Sequence, residues 1–404
     1  MARIRILIGS HLCIATRAQR EARALVEAGH DVTIQGAWYD KVLAARDERL
    51  LERAPYHFEA VVDLRRTAML PRLRRRLGVE SWRRLRRFSP SSLGYGVREH
   101  LRVARAAAPD LTIAHSVGGL WAVAQLAKSG HRIGVDFENW FSECIRPEDA
   151  RRQPVEAIRQ LERNALRLAC YRLAPTRALA RALADQAAIE PPTAVYNGFA
   201  LADLRAPAPP AADRRPTDPP SLHWFSNEIE PGRGLETLFA ALPHIQYPAE
   251  VHLRGALSRR HRRWLSHQIP ESWRARVKIL PVVHDSELLP RIASHDIGLV
   301  FEPPALRGRD LTIPKKTFHF LLAGLAVLGT DTTGHREIAT AARGALKLFP
   351  ADDPAALAAA IDAWLAFPEH LKLARLAAVQ ATKETFCWER MREQLLDEAA
   401  LALA

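Results

Sequence analysis

LTIPKKTFHFLLAGLAVLGTD, residues 311–331, carries more structural instruction than any other stretch of this chain. Pro314 suits the first turn of a helix, where its fixed φ and missing N–H cost nothing. An apolar helix is expected over 315–323, closed by Gly324, with a buried strand over 325–329. A helix start exposes unpaired N–H groups and the positive end of the dipole, which favours an anion. Lys315 and Lys316 fall in that first turn, where cations are disfavoured, so a nearby negative group is expected to compensate them.

Working outward, strands alternate with helical stretches on both sides. IRILIG (4–9), DVTIQG (31–36), 111–114, SLHWFS (221–226), EVHLRG (250–255), VKILPVV (277–283) and DIGLVF (296–301) read as buried parallel strands. RAQREARALVEAG (17–29) reads as a helix with an apolar stripe at Ala18, Ala22, Leu25 and Val26, and Gly29 as its stop. Strand–helix–strand order predicts βαβ units and an α/β fold. In DLTIAHSVGGLWAVAQLAKSG (110–130), the residues after the strand read as a loop over 117–119, then a helix over 120–127. His115 thus falls at the carboxyl end of a strand, where open α/β sheets bind ligands. Asp136, Glu138, Asn139 and Glu143 follow the next strand; the clustered carboxylates either orient a substrate hydroxyl or cap helices. Four segments are expected: a first domain over 1–202, a Pro-rich linker over 203–220, a second domain over 221–383 and a final helical segment over 384–404.

Composition narrows the class. The 404 residues are 48% hydrophobic, enough for two cores. No run of ~18 uncharged apolar residues predicts a membrane span, and MARIRILIG reads as a first strand rather than a signal peptide. Cys13, Cys144, Cys170 and Cys387 are scattered, which fits reduced thiols better than a disulfide frame or zinc site. The formal net charge of +13 favours an anionic partner. Residues 65–105 hold thirteen arginines, Arg74, Arg75 and Arg76 among them, against Glu80 and Glu99. Leu70, Leu73, Leu77, Trp82, Leu85 and Phe88 interleave with them. This reads as a basic amphipathic element for an anionic membrane surface, or as a solvated basic face. Nucleic acid is disfavoured, because no recognised module or stacking platform accompanies the charge.

The ordered motifs resemble GT-B glycosyltransferases, especially retaining family 4. Residues 314–327 resemble that family's P-N-K-(hydrophobic)-F-E-Y-L-(small)-A-G-(hydrophobic)-P-V segment. Lys316 stands at the diphosphate-binding Lys, and His319 replaces the ribose-binding Glu. The family's Glu-x7-Glu pair would begin at Leu311, with Asp310 adjacent. EIEPGRGLETLFAAL (228–242) resembles its diphosphate loop, with Arg233 at the Lys position before Gly234 and Asn227 at the Arg position. TTGHREIA (332–339) resembles G-G-x-x-E, with Gly334 and Glu337. Arg17, Glu21, Gly29 and His30 match the family's opening. His115 matches its acceptor-side His, and Glu138 stands where D-x-H-E has its His. TAVYNGF (193–199) resembles the segment that closes the first domain.

The resemblance implies two Rossmann-like domains with parallel sheets facing a central cleft. It implies transfer of a sugar from a UDP- or GDP-linked donor to the hydroxyl of a glycan or lipid-linked acceptor, with retention. It further implies no metal and no separate cofactor, catalysis by His115 and Glu138, and donor contacts from Arg233, Gly234, Lys316, His319, Asn227 and Glu337. Arg17, Arg74, Arg75 and Arg76 are placed on the acceptor or membrane side. A cytoplasmic enzyme, peripheral on the inner membrane face and serving cell-surface glycan synthesis, is the expectation. Two alternatives stand beside it: a GT-B sugar-nucleotide epimerase, and a binding or scaffold protein whose departures at Asn227, Leu311 and His319 have removed catalysis.

Overall fold

The computed structural model describes residues 1–65, 69–205, 219–302 and 305–404. The chain divides into two compact units, Met1–Tyr196 with Arg392–Ala404, and Asn197–Met391. The first is built on β1 (Arg3–Leu7), β2 (Asp31–Trp38), β3 (His57–Asp63), β4 (Leu111–Ala114), β5 (Ile133–Asp136), β6 (Tyr171–Ala174) and β7 (Thr193–Ala194). Their order in the sheet is β3-β2-β1-β4-β5-β6-β7. The second is built on β8 (Ser221–Glu228), β9 (Glu250–Ala256), β10 (Val277–Leu280), β11 (Ile297–Val300), β12 (Ala326–Thr330) and β13 (Leu346–Phe349), ordered β10-β9-β8-β11-β12-β13. All of these pairings are parallel. Every residue of β4, β5, β11 and β12 is buried, as strands covered by helices on both faces require.

Strand order reverses between β1 and β4 in one sheet and between β8 and β11 in the other. Ligands of open α/β sheets bind outside the carboxyl ends of the strands at such points.

The stretch around Lys316 forms a helix over Lys315–Leu322 and the strand β12. Gly324 ends the helix at φ +73°. The loop expected at 117–119 is instead helical: the helix Val117–Ala127 starts there because Ser116 Oγ accepts the Gly119 N–H at 3.1 Å. The glycines that suggested a loop serve close packing. A Cβ on Gly119 would stand 3.1 Å from the Leu7 carbonyl oxygen. The expected linker falls mainly on residues 206–218, outside the described residues, as does Arg66. The last helix, Trp388–Leu403, contributes Glu398, which accepts the Arg172 N–H at 3.1 Å and the Thr193 hydroxyl at 2.8 Å.

Buried histidines give the fold an acid limit. His335 joins the helix Lys315–Leu322 to β12: its Nε2 accepts the Thr317 hydroxyl at 3.1 Å while Nδ1–H donates to the Thr330 carbonyl at 2.8 Å. Burial pushes His335 down to about 4, and holds His223, stacked 4.0 Å from His295, well below the ordinary range. The unfolded chain takes up protons below about pH 6.5 while these folded sites refuse them, so stability falls as pH drops toward 4. Between pH 7 and pH 5 His335 is expected to cost about 2 kcal/mol. Thermal melts across that range test this; a flat Tm would refute it, and His335→Asn should flatten the slope.

Candidate functional site

In the first unit the site grows from three carboxyl-edge positions. His115 follows β4, Asp136 ends β5, and Glu21 projects from the helix Thr16–Glu27. His115 Nε2 lies 2.5 Å from Glu21 Oε2, and Nδ1 lies 3.0 Å from Glu138 Oε1. Glu21 also accepts the Tyr171 hydroxyl at 2.7 Å. Arg17 donates to Asp136 at 2.6 Å and to the Val195 carbonyl at 2.7 Å. Burial alone would lower the His115 pKa; the Glu21 charge, hydrogen bonds to Glu138 and Glu21, and Asp136 overcome it and hold it up at about 10. At neutral pH His115 is therefore an imidazolium donating from both nitrogens. It cannot take a proton from a substrate. Its side chain is 1% exposed, whereas that of Glu138 is 25% exposed. Glu138 is the member of the pair that a ligand can reach.

Glu21, His115 and Asp136 bring possible metal-ligand atoms within 4.8 Å of one another. The donor set there is already matched by charge, since Arg17 occupies one Asp136 oxygen and the His115 proton neutralises Glu21. A cation would have to displace both. Arg17, expected at the acceptor or membrane side, is buried in this network rather than presented at the surface.

A cavity of about 340 Å³ opens at the carboxyl ends of β1 and β4, bounded by Ile8, Gly9, His115 and Glu138 among others. The loop after β1 is fixed by Asp47, which is fully buried. Its carboxylate accepts the N–H groups of Leu12 and Cys13, the Trp38 indole and His11 Nδ1–H, at 2.7–3.2 Å.

In the second unit, Glu302 follows β11 and is tied to β12 by reciprocal bonds with the Thr330 hydroxyl at 2.9 and 3.0 Å. Glu302 is the negative group expected opposite the helix-start lysines. Burial raises its pKa, against Lys316, Arg309 and Arg233. Arg309 lies 3.6 Å from its carboxylate. Lys316 is pushed down to about 8 by burial, with Glu302 opposing and Arg233 and Arg309 reinforcing the drop. Its ammonium sits 5.2 Å from the centre of the Trp224 ring. Arg233 is paired with Glu230 at 2.7 Å. Lys316, Arg309 and Arg233 thus all act electrostatically on Glu302, while Arg233 is bonded to Glu230, three cations beside two carboxylates.

A second cavity, about 310 Å³, includes Gly232, Gly234, Glu302, Thr330 and Asp352 in its wall. Gly234 is required twice over: its φ is +78°, and a Cβ there would stand 2.3 Å from Phe301 Cβ. Asn227 is exposed at the end of β8, and Glu337 is half-buried on the helix Thr333–Ala339. His319 Nδ1–H donates to the Lys315 carbonyl at 3.1 Å, and its ring packs on Phe199 and Phe225. None of these three lines the cavity. Asp310 spends both oxygens on Thr333, at 3.0 and 2.7 Å. Glu302, Arg309, Trp224, Tyr171 and Asp47 escaped the sequence reading. For Glu302 a signal existed, a lone acid directly after an apolar strand.

No family model matches the sequence, and no match was found among curated proteins. Solved structures do match. Sucrose-phosphate synthase from Thermosynechococcus elongatus aligns with a TM-score of 0.72 at 17% identity, over 100% of both chains. Anabaena HepE, in complex with UDP and glucose, aligns with a TM-score of 0.68 at 16% identity, over 99% of this chain and 100% of its own. The lipopolysaccharide outer core galactosyltransferase WaaB, in its apo form, aligns with a TM-score of 0.61 at 12% identity, over 98% and 99%. The fold is therefore GT-B, two parallel-sheet α/β domains of the kind glycosyltransferases use.

Proposed function

We propose that this chain is a glycosyltransferase that moves a sugar from a UDP-linked donor to an acceptor hydroxyl, with retention. The observation that carries the reading is the cluster of Lys316, Arg233 and Arg309 about the buried carboxylate of Glu302, at the switch point of the second sheet. A diphosphate is the ligand such a cluster lacks. The leaving diphosphate gains charge in the transition state, and preorganised cations stabilise that charge selectively. These cations, rather than a divalent metal, neutralise it in this proposal, so a chelator should leave the rate unchanged. HepE, which has this fold, was solved with UDP and glucose, which favours UDP over GDP. In the first unit Glu138 orients the acceptor hydroxyl, and His115 positions Glu138.

A thermal-shift series with UDP, GDP and their sugars tests the donor. At ~100 times Kd the cognate nucleotide should stabilise by about 2.7 kcal/mol. No shift with any of them would remove the donor site. Epimerised UDP-sugar appearing without acceptor would mark an epimerase, and binding without any turnover a scaffold.

The acceptor is proposed to be glycan or lipid-linked, in cell-surface glycan synthesis, met at the cytoplasmic face of a membrane. Among the described residues no helix is long and apolar enough to cross a membrane. The helix Met69–Leu85 instead lies on the surface of the first unit, with only Gly78 buried. Met69, Leu70, Leu73 and Leu77 form an exposed apolar stripe at i, i+1, i+4 and i+8. Arg74, Arg75 and Arg76 flank it; Arg74 pairs with Glu99 at 3.1 Å, and Arg75 lies 4.7 Å from the centre of the Tyr95 ring. Such a surface suits anionic lipid. Cosedimentation with anionic vesicles should succeed at low salt, fail at high salt, and weaken in a Leu73→Ser/Leu77→Ser variant. Equal recovery with neutral vesicles would contradict it.

A further inference from the structure

One residue in the wall of the first-unit cavity has no task in the network already described. His100, on the helix Val97–Ala107, is 2% exposed, and neither of its ring nitrogens has a hydrogen-bond partner among the described residues. Burial pushes its pKa down to about 4, so at neutral pH it offers one N–H donor and one lone-pair acceptor. A buried polar side chain left unpaired is costly and calls for an explanation, a missing ligand among them.

The rest of the wall says which ligand. Among the described residues no lysine or arginine lines the cavity. Its charged groups are the Glu138 carboxylate and the imidazolium that Glu138 shares with Glu21. An anion entering there would meet a carboxylate, a neutral imidazole and an imidazolium whose two nitrogens are already bonded to Glu138 and Glu21. Leu93, Tyr95, Val117 and Phe141 supply apolar and aromatic surface. The volume, about 340 Å³, is at the small end of the roughly 300–1,000 Å³ range of small-molecule sites, which suits a single ring.

We infer that this cavity seats an uncharged, hydroxyl-bearing ring, with one hydroxyl read by His100 and another facing Glu138. A hydroxyl both donates and accepts, so it can satisfy either imidazole nitrogen, and the C–H face of a sugar ring packs on the apolar wall. The inference rests on the glycosyl-transfer reading and names its acceptor class. The group that receives the sugar is a neutral glycoside or cyclic polyol, not a phosphorylated or carboxylated one. The basic surface helix and the acceptor pocket therefore recognise different things, an anionic surface and a neutral ring.

The test uses the full chain carrying isotope-labelled histidine, without nucleotide sugar. Methyl glycosides of glucose, galactose and N-acetylglucosamine, and myo-inositol, are titrated against glucose 6-phosphate and glucuronate. At least one neutral probe should shift the His100 ring signals and bind about tenfold more tightly than either anion. His100→Leu should weaken that probe about tenfold while raising Tm, because it removes an unpaired buried polar group; His100→Gln should restore part of the binding. A merely structural histidine would give the opposite sign in Tm and leave binding unchanged. Anions binding as tightly as neutral probes, or no probe moving the His100 signals, overturns the inference. A UDP thermal shift on the same sample separates the two levels. Neutral probes bound without any nucleotide response would leave the pocket standing and sink the transferase. The reverse result would sink the pocket alone.

Discussion

Replacing His115 with alanine is expected to destabilise the first unit by about 3–5 kcal/mol and to abolish transfer, while the second unit keeps its affinity for UDP. The imidazolium separates Glu21, which is fully buried, from Glu138, and Asp136 lies in the same cluster at 1% exposure. Without it, Arg17 is left paired with Asp136 while Glu21 and Glu138 lose their shared counter-charge. The pH dependence has a definite sign. The folded pKa, about 10, lies above the unfolded value near 6.5, so the stabilisation is complete below pH 6.5 and is lost as pH rises through 10. Urea unfolding between pH 6 and pH 10 should show that decline in the parent and not in His115→Ala. Glu138→Gln supplies the contrast: being partly exposed, it should cost little stability and most of the turnover. A stable, inactive His115→Ala would mean that the network is chemical rather than architectural, and a stable, active one would remove it from the site.

Lys316→Ala and Arg233→Ala are each expected to weaken nucleotide-sugar binding by roughly 1.5–3 kcal/mol, the range of charge-assisted hydrogen bonds, with a larger loss in turnover. Lys316 adds a test that Arg233 lacks. With its pKa near 8 in the free protein, it loses its proton above that pH and must take it up again when a diphosphate arrives. UDP affinity should fall as pH rises above 8, by up to about tenfold per unit, with proton uptake measurable by calorimetry in buffers of different ionisation enthalpy. In Lys316→Ala both effects should vanish. If the pH dependence survives that substitution, the titrating group is another one. Arg233 must leave Glu230 to reach a ligand, so Glu230→Gln should tighten binding modestly.

The order of strands and helices was legible because each element carries its signal locally. The apolar run of β4, the proline before Lys315 and the glycine after the helix act within a few residues of themselves. His115 at a strand end was legible for the same reason. Its partners were not. Glu21 and Tyr171 stand 94 and 56 residues away in sequence, and only the parallel order β1-β4-β5-β6 brings their elements together. Glu21 matched an opening motif without disclosing its task, and Asp136 was grouped with Glu138 without disclosing its bond to Arg17. The same holds for Glu302, whose exposure to the charge of Arg233 depends on β8 and β11 lying side by side in the sheet. His100 lies in a stretch whose arginines carried the whole reading and was given no role there, whereas folding turns it inward and burial lowers its pKa.

The second unit is an insertion within the first. The chain departs after Tyr196 and returns at Arg392, with the Trp388 N–H bound to the Phe199 carbonyl at 2.8 Å where the outgoing and returning segments meet. This fixes an order of biogenesis. A ribosome releases the chain from its amino end, and domains usually close as they emerge. Here the unit begun first is finished last. Its sheet waits for the carboxyl-terminal helix, whose Glu398 and Leu403 carbonyl engage Thr193, Arg172 and Arg132. The inserted unit, continuous in sequence, can close while its host is still incomplete. Translation cut short near Met391 would therefore yield a finished second unit attached to an unfinished first unit, a natural substrate for chaperones and proteases.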